Sequence, residues 1–497
     1  SKMRRSTLAE SSVTPAVRGM KENNGRAARR MQCRKIGLTL VICASILGFI
    51  EITGLGGPSS RQSRNEKRKQ GNRRDYTFGI LKRRRGMRKG ISNMEMMISG
   101  DGHDNGSSST SFVAPQTEKE KIDLILSASV HLVSIRKTQQ FKDDTYEGVI
   151  GTFCQIDWSL HKKDPSAHPM FRDLIAHSPS CGGKNQKFDM DLKKIATLAR
   201  NHDAQNQNAT SNQRLKQNNN NIPHALSVGG FVFHESRCGS TLTANSLAAM
   251  NPSQTRVYSE SPPPVNALSS CGIPGEPSST CSIESAASLL RDVVYMMSRT
   301  NDDAEEYVFF KIQSMGTKYI RIFLEAFPTV PWIFVYRDPV QVMMSHLRQG
   351  LTSANCVRQL RDIPSASKKY LSSINHHLHS LEPEQKCALH LSTLCESAVS
   401  ALLTADTGLA VNYSELAERL TFQIIPEHFD IPMTEDMIDN IEEVASKYSK
   451  GRGDKAKQWV EDSAAKERQA STQVREAAKL FLSKSYSSLE AFSGYSL

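Results

Sequence analysis

Aromatic side chains are scarce in this 497-residue chain, and hydrophobic residues are few for its length. Aromatic residues make up 7% of the sequence and hydrophobic residues 38%, which suggests that part of the chain builds no core. No internal repeat is visible. We therefore expect one globular domain accompanied by extended segments.

A module for reading nucleic-acid bases is also lacking, although the formal net charge is +12. Residues 1–89 contain 23 Lys and Arg against 5 Asp and Glu, whereas the remaining chain contains 40 against 46. A basic excess confined to one arm favours a solvated stem beside a membrane, and a nucleic-acid tail is the second interpretation. We expect no nucleic-acid partner.

The apolar stretch at residues 36–50 is short for a membrane-spanning helix, which takes roughly 17–25 residues. Its flanks differ in charge, because residues 21–35 hold six basic side chains and residues 51–65 hold two. This asymmetry predicts an uncleaved signal anchor with a cytosolic N-terminus and a luminal C-terminal portion. A cleaved signal peptide or an organellar transit peptide is the alternative, and the basic run at residues 82–89 counts against the predicted anchor.

Composition divides the chain into regions of different character. Residues 56–118 are rich in Gly, Ser, Asn and basic residues without periodicity, and residues 201–221 are dominated by Asn and Gln. Apolar positions at helical spacing predict a helix over residues 120–135. The predicted regions are a cytosolic tail (1–35), a signal-anchor segment (36–55), a disordered stem (56–118), an accessory region (119–200), a linker or insertion (201–224) and the main domain (225–497).

Ten cysteines fit an oxidising lumen. Cys271 and Cys281 flank a loop rich in Pro and Gly, and Cys356 flanks a helical segment together with Cys387 or Cys395. Disulfide pairing is plausible in both places, but the sequence does not determine the connectivity.

Three N-glycosylation sequons begin at Asn105, Asn208 and Asn412. The first two lie in polar, loop-like sequence that could accept a glycan. The third lies next to an apolar segment, where we expect it to be buried.

Short apolar segments alternate with helical ones from about Leu226 onward. The expected strands are "ALSVGGFVFHE", "TRVYSE", "EYVFFKI", "PWIFVYRD" and "TGLAVN", and the expected helices include "STLTANSLAAM" and "TKYIRIFLEAF". Such alternation is typical of an α/β fold in which helices flank a P-loop-type parallel β-sheet on both faces.

The loop that joins the first of these strands to its helix lies in "GGFVFHESRCGSTLTANSL" at residues 229–247, and it contains no lysine. A glycine turn before a helix offers backbone N–H groups and the positive end of the helix dipole to an anion. A nucleoside triphosphatase would place Gly-Lys-Ser/Thr here, but Gly239 is followed directly by Ser240. Arg237, Ser240 and Thr241 add donors suited to a phosphate.

A second anion-binding element follows at another expected strand end, in "FVYRDPVQVMMSH". Arg337 closes the strand, and Ser345 lies two turns into the next helix. Both side chains could reach one phosphate, since ligands of such sheets bind at the carboxyl ends of the strands. An Arg337–Asp338 ion pair is the structural alternative.

These two elements together resemble the paired signature of the PAPS-dependent sulfotransferases, especially the membrane-bound Golgi kind typified by the tyrosylprotein and carbohydrate sulfotransferases. The resemblance covers roughly residues 226–420. It implies that the first loop holds the 5′-phosphosulfate of PAPS and that the second element holds the 3′-phosphate. The cofactor-binding residues implied in this way are Arg237, Cys238, Gly239, Ser240 and Thr241 in the first loop, and Arg337 and Ser345 in the second element.

Three further positions are similar to the family. The turn "YSES" resembles the one that carries a catalytic glutamate, which makes Glu260 the candidate base, and "FFKIQS" makes Lys311 the candidate for stabilising charge. "VNYSEL" implies that Tyr413 faces the adenine. The sequence departs from the family at Cys238, where Ser or Thr is common, and at Gln341, where an acidic residue is usual.

The resemblance implies sulfuryl transfer from PAPS to a hydroxyl of a glycan or protein, by a single-pass type II Golgi membrane protein with a luminal catalytic domain. The sequence lacks the His and Cys spacing of zinc sites, and we expect no metal cofactor. A homodimer is a further expectation. Two other functions stay open, namely a P-loop kinase-like phosphotransferase and a non-catalytic, membrane-tethered nucleotide- or anion-binding protein.

Overall fold

The computed structural model describes residues 112–493, except for 113, 143, 209–221, 270, 274–275, 278, 349, 361–362 and 448–461. The predicted tail, signal anchor and nearly all of the predicted stem lie outside the described residues, as does the Asn105 sequon. No helix within the described ranges is both long and apolar enough to cross a membrane.

A small antiparallel sheet forms the first part of the described chain. Its strand order is β1-β2-β3, and Thr117 caps the helix that precedes it. The elements are α1 (Glu118–Leu126), β1 (His131–Lys137), β2 (Val149–Cys154), α2 (Trp158–Lys163), α3 (Phe171–His177), β3 (Phe188–Asp191) and α4 (Leu192–Asn208).

Two expectations for this region are corrected by the structure. The helix predicted over residues 120–135 ends at Leu126, and its second half forms strand β1. Ala128 adopts a left-handed φ of 52°, which interrupts the helix, and the β-branched residues after it favour an extended strand. Residues 201–208, assigned to the linker, continue α4 because Asp203 is buried in a salt bridge with Arg299.

Five parallel strands form the central sheet in the order β10-β9-β5-β8-β6. The strands, together with a two-stranded ribbon of β4 and β7, are β4 (His224–Ala225), β5 (Ser227–His234), β6 (Thr255–Ser259), β7 (Arg299–Thr300), β8 (Tyr307–Lys311), β9 (Trp332–Tyr336) and β10 (Gly408–Asn412). All five residues of β6 and of β9 are buried, as expected for a sheet that is covered on both faces.

Helices cover both faces of this sheet, which confirms the α/β prediction. They are α5 (Ser240–Met250), α6 (Pro262–Ser269), α7 (Ile283–Ser298), α8 (Ile320–Ala326), α9 (Pro339–Leu347), α10 (Asn355–Arg358), α11 (Ser365–Ser373), α12 (Pro383–Leu402), α13 (Leu416–Arg419), α14 (Glu435–Ala445), α15 (Ser463–Gln469) and α16 (Thr472–Ser493), with a π-helical turn at Leu420–His428. The antiparallel sheet packs its strand β1 against α6 and α7.

Alternate residues of each central strand supply two separate cores. Phe231 and Phe233 of β5 point into one core, and Val232 points into the other, together with Val335 and Phe309 of the neighbouring strands. This two-residue period is a direct consequence of strand geometry.

Three disulfides occur among the described cysteines: Cys154–Cys181, Cys271–Cys281 and Cys356–Cys387. The structure thereby decides between the two partners that the sequence left open for Cys356. Cys395 and Cys238 are free thiols, and both are buried.

Candidate active site

The carboxyl ends of the central strands meet at one edge of the sheet. Strand register places Lys311 of β8 beside Val232 of β5 and Ser259 of β6, and it pairs Asn412 of β10 with Tyr336 of β9. The residues that follow these strands therefore share one edge. They include Glu260 after β6, Arg337 after β9, Tyr413 after β10 and the loop of residues 235–239 after β5.

Strand order makes the crevice between β5 and β9 a topological switch point. The connection after β5 leads across β8 to β6, and the connection after β9 leads the opposite way to β10. Ligands of open parallel sheets bind where neighbouring connections diverge in this manner. The two sequence elements that suggested an anion site flank this crevice.

The loop after β5 turns sharply through left-handed backbone. Ser236, Arg237 and Gly239 have φ values of 78°, 57° and 92°, and two of these three are not glycine. Such conformations cost free energy for L-residues and often occur at functional loops. Leu242 N donates to Gly239 O at 2.8 Å, so helix α5 starts directly from this turn.

Cys238 anchors the loop to the neighbouring strand β9. Its thiol donates to Val335 O of β9 at 3.0 Å, and its side chain is fully buried. Burial, with a contribution from the charge of Glu235, raises the pKa of Cys238 to about 12, so the residue stays a neutral thiol. The predicted cofactor contact at Cys238 stays a prediction, and the thiol itself already bonds to the neighbouring strand.

Gly239, Ser240 and Thr241 form the first turn of α5. A Cβ atom on Gly239 would lie 2.5 Å from Cδ2 of Tyr413, so only glycine lets the Tyr413 ring approach the loop this closely. Ser240 and Thr241 are 5% and 4% exposed. Their hydroxyls lie at the positive end of the helix dipole, where an anion is stabilised.

Arg237 extends from the tip of this loop and is half-buried. Among the described residues, its guanidinium has no carboxylate within ion-pair distance and no hydrogen-bond partner. An arginine at a switch point without an internal partner can bind an anionic ligand without first breaking a contact.

Lys311 and Glu260 form an ion pair at the ends of β8 and β6. The ammonium of Lys311 donates to Glu260 Oε1, and the lysine side chain is fully buried while that of Glu260 is 32% exposed. Glu260 has a φ of 57°, and its N–H donates to Lys311 O at 2.7 Å. Backbone and side chain together aim the carboxylate outward from the strand ends.

His234, the last residue of β5, lies behind this pair. Its Nδ1 accepts from Ser236 N at 3.0 Å, and its Nε2 lies 3.8 Å from Glu260 Oε1. Because Nδ1 accepts a hydrogen bond, the proton of a neutral ring sits on Nε2, on the side of the carboxylate. The histidine thus supports both the loop and the carboxylate.

Arg337 is held from several sides. Its Nε donates to Gln341 Oε1 at 2.7 Å and its Nη2 donates to Ser463 Oγ at 2.7 Å. The guanidinium also lies 4.1 Å from the centre of the Tyr413 ring. Gln341, a departure from the family pattern, thus positions this arginine directly.

Asp338 does not form the structural ion pair with Arg337 that was the alternative interpretation. Its carboxylate accepts from Gln341 N at 3.1 Å and caps α9. Ser345, one turn further on, donates its hydroxyl to Gln341 O at 2.9 Å. Arg337 forms its ion pair with Asp462 instead, at 3.3 Å.

Glu235 is a site residue that the sequence analysis missed. It is 2% exposed, and its Oε1 accepts from Arg337 N at 2.6 Å, while the Cys395 thiol donates to its Oε2 at 3.4 Å. Burial raises the pKa of Glu235 to about 8. The carboxyl group ties the β5 loop to the β9 loop, and the signal in the sequence was an acidic residue directly after the end of strand β5.

Asp462 and Lys466 were missed as well, because they lie far along the chain from Arg337. Lys466 Nζ lies 2.7 Å from Asp462 Oδ1, next to Arg337. Within the ranges described, no group of three or more His, Cys, Asp or Glu could hold a metal ion.

The Asn412 sequon lies beside this edge of the sheet. Its side-chain amide donates to Glu490 Oε1 at 2.6 Å, and its oxygen accepts from Ser414 N at 3.0 Å. A glycan would be attached to the same amide nitrogen that donates to Glu490. The Asn208 sequon begins at the last residue of α4.

Comparisons with known proteins find only distant structural similarity. No protein-family model and no curated protein matches the sequence. Sulfotransferase STF9 from Mycobacterium avium is 11% identical, with a TM-score of 0.32 over 60% of this chain and 84% of its own.

Two sulfotransferase domains are similar to the chain at the same level. The domain from the curacin biosynthetic pathway is 11% identical, with a TM-score of 0.30 over 52% of this chain and 98% of its own. The domain from the Synechococcus PCC 7002 olefin synthase is 15% identical, with a TM-score of 0.28 over 55% and 96%. Similarity this weak assigns neither a family nor an activity to this chain.

Proposed function

We propose that this protein is a PAPS-dependent sulfotransferase that transfers a sulfuryl group to a hydroxyl of a glycan or protein. The observation that carries the proposal is the Glu260–Lys311 pair, which lies at the strand ends beside a glycine loop without the lysine of a nucleoside triphosphatase. A base and a cation at the same strand ends suit an in-line transfer that needs positioning and charge stabilisation.

The residues at this edge fit a nucleotide with two separated anionic groups. Asp462 places a carboxylate against Arg337, which demonstrates that an anion can be accommodated at the end of β9. The β5 loop has room only for glycine at position 239, and it presents Arg237 without an ion-pair partner in the part of the chain that the structure describes. In the proposal, the β5 loop holds the 5′-phosphosulfate, and Arg337 and Ser345 hold the 3′-phosphate.

Tyr413, which the resemblance implies to face the adenine, contacts both anion-binding loops. The ring packs on Gly239 and under the guanidinium of Arg337, so it joins the two anion-binding loops. We propose that its main role is to hold Arg337 in place. Contact with an adenine is secondary in this proposal.

When bound, PAPS supplies the activated sulfuryl group and a phosphate leaving group. Glu260 takes the proton of the acceptor hydroxyl, since its carboxylate is the exposed member of the pair. Lys311 donates to Oε1, the oxygen that also lies nearest to His234, and these two contacts orient the carboxylate. Lys311 and Arg237 stabilise negative charge at the strand ends.

We also propose a luminal location behind a membrane anchor at residues 36–55, in the Golgi. Three disulfides within the described residues support an oxidising compartment. The acceptor is proposed only as a glycan or protein hydroxyl, and dimer formation remains a proposal.

The test is transfer of labelled sulfate from PAPS to a panel of glycan and tyrosine-containing acceptors by the full chain. Glu260→Gln should lower kcat by about 100-fold or more, because it removes the base, and should leave binding of adenosine 3′,5′-bisphosphate unchanged. Glu147→Gln, which changes an exposed pair with Lys142, is the matched control and should retain full activity.

Two outcomes would favour the competing functions. Binding of ATP without binding of adenosine 3′,5′-bisphosphate would support a kinase-like phosphotransferase and overturn the proposal. Binding of the bisphosphate with no transfer to any acceptor, and with no difference between the wild type and Glu260→Gln, would support a non-catalytic anion-binding protein.

A further inference from the structure

Three cations surround one carboxylate beside the carboxyl end of β9. Lys466 Nζ and Arg337 Nη2 lie 2.7 Å and 3.3 Å from Asp462 Oδ1, and Arg348 Nη2 lies 3.9 Å from Asp462 Oδ2. In the part of the chain that the structure describes, Asp462 is the one carboxylate within ion-pair distance of these three side chains. We name Arg337, Arg348, Asp462 and Lys466 the Asp462 cluster.

The members of the Asp462 cluster differ sharply in burial. The side chains of Arg337 and Lys466 are each 6% exposed, whereas the Asp462 side chain is 41% exposed. Two buried cations need a nearby anion, since an uncompensated buried charge is costly. Asp462 can turn toward water at a much lower cost than either cation can.

The titration behaviour of the cluster agrees with this geometry. Burial lowers the pKa of Lys466, although the hydrogen bond to Asp462 opposes the shift. Burial raises the pKa of Asp462, but its hydrogen bond to Lys466 and the charges of Lys466 and Arg337 outweigh this effect and lower the pKa overall. At neutral pH the carboxylate is therefore an ionised partner of the cations.

We infer that Asp462 is an internal substitute for a ligand phosphate and that Lys466 and Arg348 are further phosphate-binding residues of the Arg337 pocket. A phosphate dianion carries more charge than a carboxylate and has three oxygens for the three cations. Ser463 Oγ, which accepts from Arg337 Nη2, lies within the same arrangement. A bound phosphate thus replaces Asp462, which turns outward.

This arrangement makes Asp462 a competitor that lowers ligand affinity. The apparent dissociation constant of a ligand rises as the fraction of pockets open to it falls. The identity of the ligand as adenosine 3′,5′-bisphosphate rests on the proposed function. Recognition of a phosphate by the cluster does not.

The experiment is titration calorimetry of the full chain with adenosine 3′,5′-bisphosphate, adenosine 5′-monophosphate and inorganic phosphate. Asp462→Asn keeps the size of the side chain and removes its charge. We expect it to tighten bisphosphate binding by about tenfold. Adenosine 5′-monophosphate, which lacks the 3′-phosphate, should bind both proteins equally.

Glu147→Gln is the control here as well, because Glu147 is exposed and pairs with Lys142 outside the cluster. It should change bisphosphate affinity less than twofold. Lys466→Met should weaken bisphosphate binding by about tenfold while leaving binding of the monophosphate unchanged. A thermal melt of each variant verifies that it is folded, and Asp462→Ser serves as the second charge-removing variant.

The outcomes separate this inference from the proposed function. Weaker or unchanged bisphosphate binding by both Asp462 variants would overturn the inference, because Asp462 would then position the cations without competing. Tighter binding of inorganic phosphate by Asp462→Asn, with no bisphosphate binding by any protein, would support the inference and sink the proposed function. Absence of binding of every anion to every protein would overturn both.

Discussion

Arg237 and Arg337 follow neighbouring strands of one sheet, yet the protein holds them in opposite ways. Arg237 lies in left-handed backbone, is half-buried and has no ion-pair partner among the described residues. Arg337 is buried, stacks on Tyr413 and pairs with Asp462. A strained backbone thus positions Arg237, whereas an internal carboxylate compensates the charge of Arg337.

The two devices have different physical consequences. A left-handed residue costs free energy in the folded state, whether or not a ligand is bound. An internal ion pair instead contributes to folding and is lost when a ligand takes its place. A substitution at Arg237 should therefore lower ligand affinity without lowering the free energy of unfolding. A substitution at Arg337 should lower both.

The largest effect is expected at Arg337. Arg337→Ala should lower the free energy of unfolding by about 3 kcal/mol, because it removes a stacked, buried cation and its hydrogen bonds to Gln341 and Ser463. Urea unfolding measures this loss. Arg337→Lys keeps the charge and should recover about half of the lost free energy of unfolding. If Arg337→Ala were as stable as the wild type, the contacts of Arg337 would not contribute to folding.

At Arg237, binding and stability should change in opposite directions. Arg237→Gly should weaken binding of adenosine 3′,5′-bisphosphate by roughly 30-fold, about 2 kcal/mol, because a charge-assisted contact is lost. The same change should raise the free energy of unfolding by up to about 1 kcal/mol, because glycine tolerates a φ of 57°.

Arg237→Ala separates the two effects at this position. It should lose the same affinity without the gain in stability, since alanine retains the left-handed strain. Calorimetry and urea unfolding of both variants provide the two measurements. If the glycine and alanine variants had equal free energies of unfolding, backbone strain at Arg237 would not be destabilising the folded protein.

Glu235, which links the β5 loop to the β9 loop, should make the free energy of unfolding depend on pH. Burial raises the pKa of Glu235 to about 8 from its ordinary value of 4.5. The folded protein favours the protonated form of Glu235. The contribution of this group to the free energy of unfolding is therefore complete below pH 4.5 and is lost as the pH rises toward 8. The slope is at most about 1.4 kcal/mol per pH unit.

Glu235→Gln should therefore flatten the pH dependence of unfolding between pH 4.5 and 8, because the amide does not ionise. Urea unfolding at several pH values measures the change. Glu306→Gln, an exchange at a carboxylate that bonds Gln254 near the opposite ends of the strands, is the control and should keep the wild-type slope. An identical slope in Glu235→Gln would exclude Glu235 as the titrating group.

The smallest effect is expected at Ser345. Its hydroxyl donates to Gln341 O within the same helix, so its proton already has a partner. Ser345→Ala should weaken bisphosphate binding by only about threefold and change stability by less than about 0.5 kcal/mol. If Ser345→Ala lost as much bisphosphate affinity as Arg237→Gly, Ser345 would contribute as much to binding as that arginine.

Much of the central sheet could be predicted from the sequence. "PWIFVYRD" and "EYVFFKI" are short apolar runs bounded by polar residues, and they form β9 and β8. Buried parallel strands have this composition because both of their faces are covered. The segment at residues 120–135 was predicted incorrectly, since a short apolar run can match helical spacing and still form a strand.

The site could be predicted only in part. A strand end predicts where Arg337 lies, but not that Glu235 accepts from its backbone across 102 positions of sequence. Nor does it predict that the thiol of Cys238 donates to Val335 O on the neighbouring strand. In both cases the partner is chosen by strand register, which local pattern does not encode.

From the sequence alone, the five strands of the central sheet and the residues at their carboxyl ends could be predicted. Periodicity and composition are local properties, and neighbours in the chain are enough to set them. The tertiary structure alone decided that Lys311 pairs with Glu260 and that Asp462 reaches Arg337 across 125 positions. Those contacts depend on how the helices pack around the sheet, because buried charges take whatever partner the packing brings within reach.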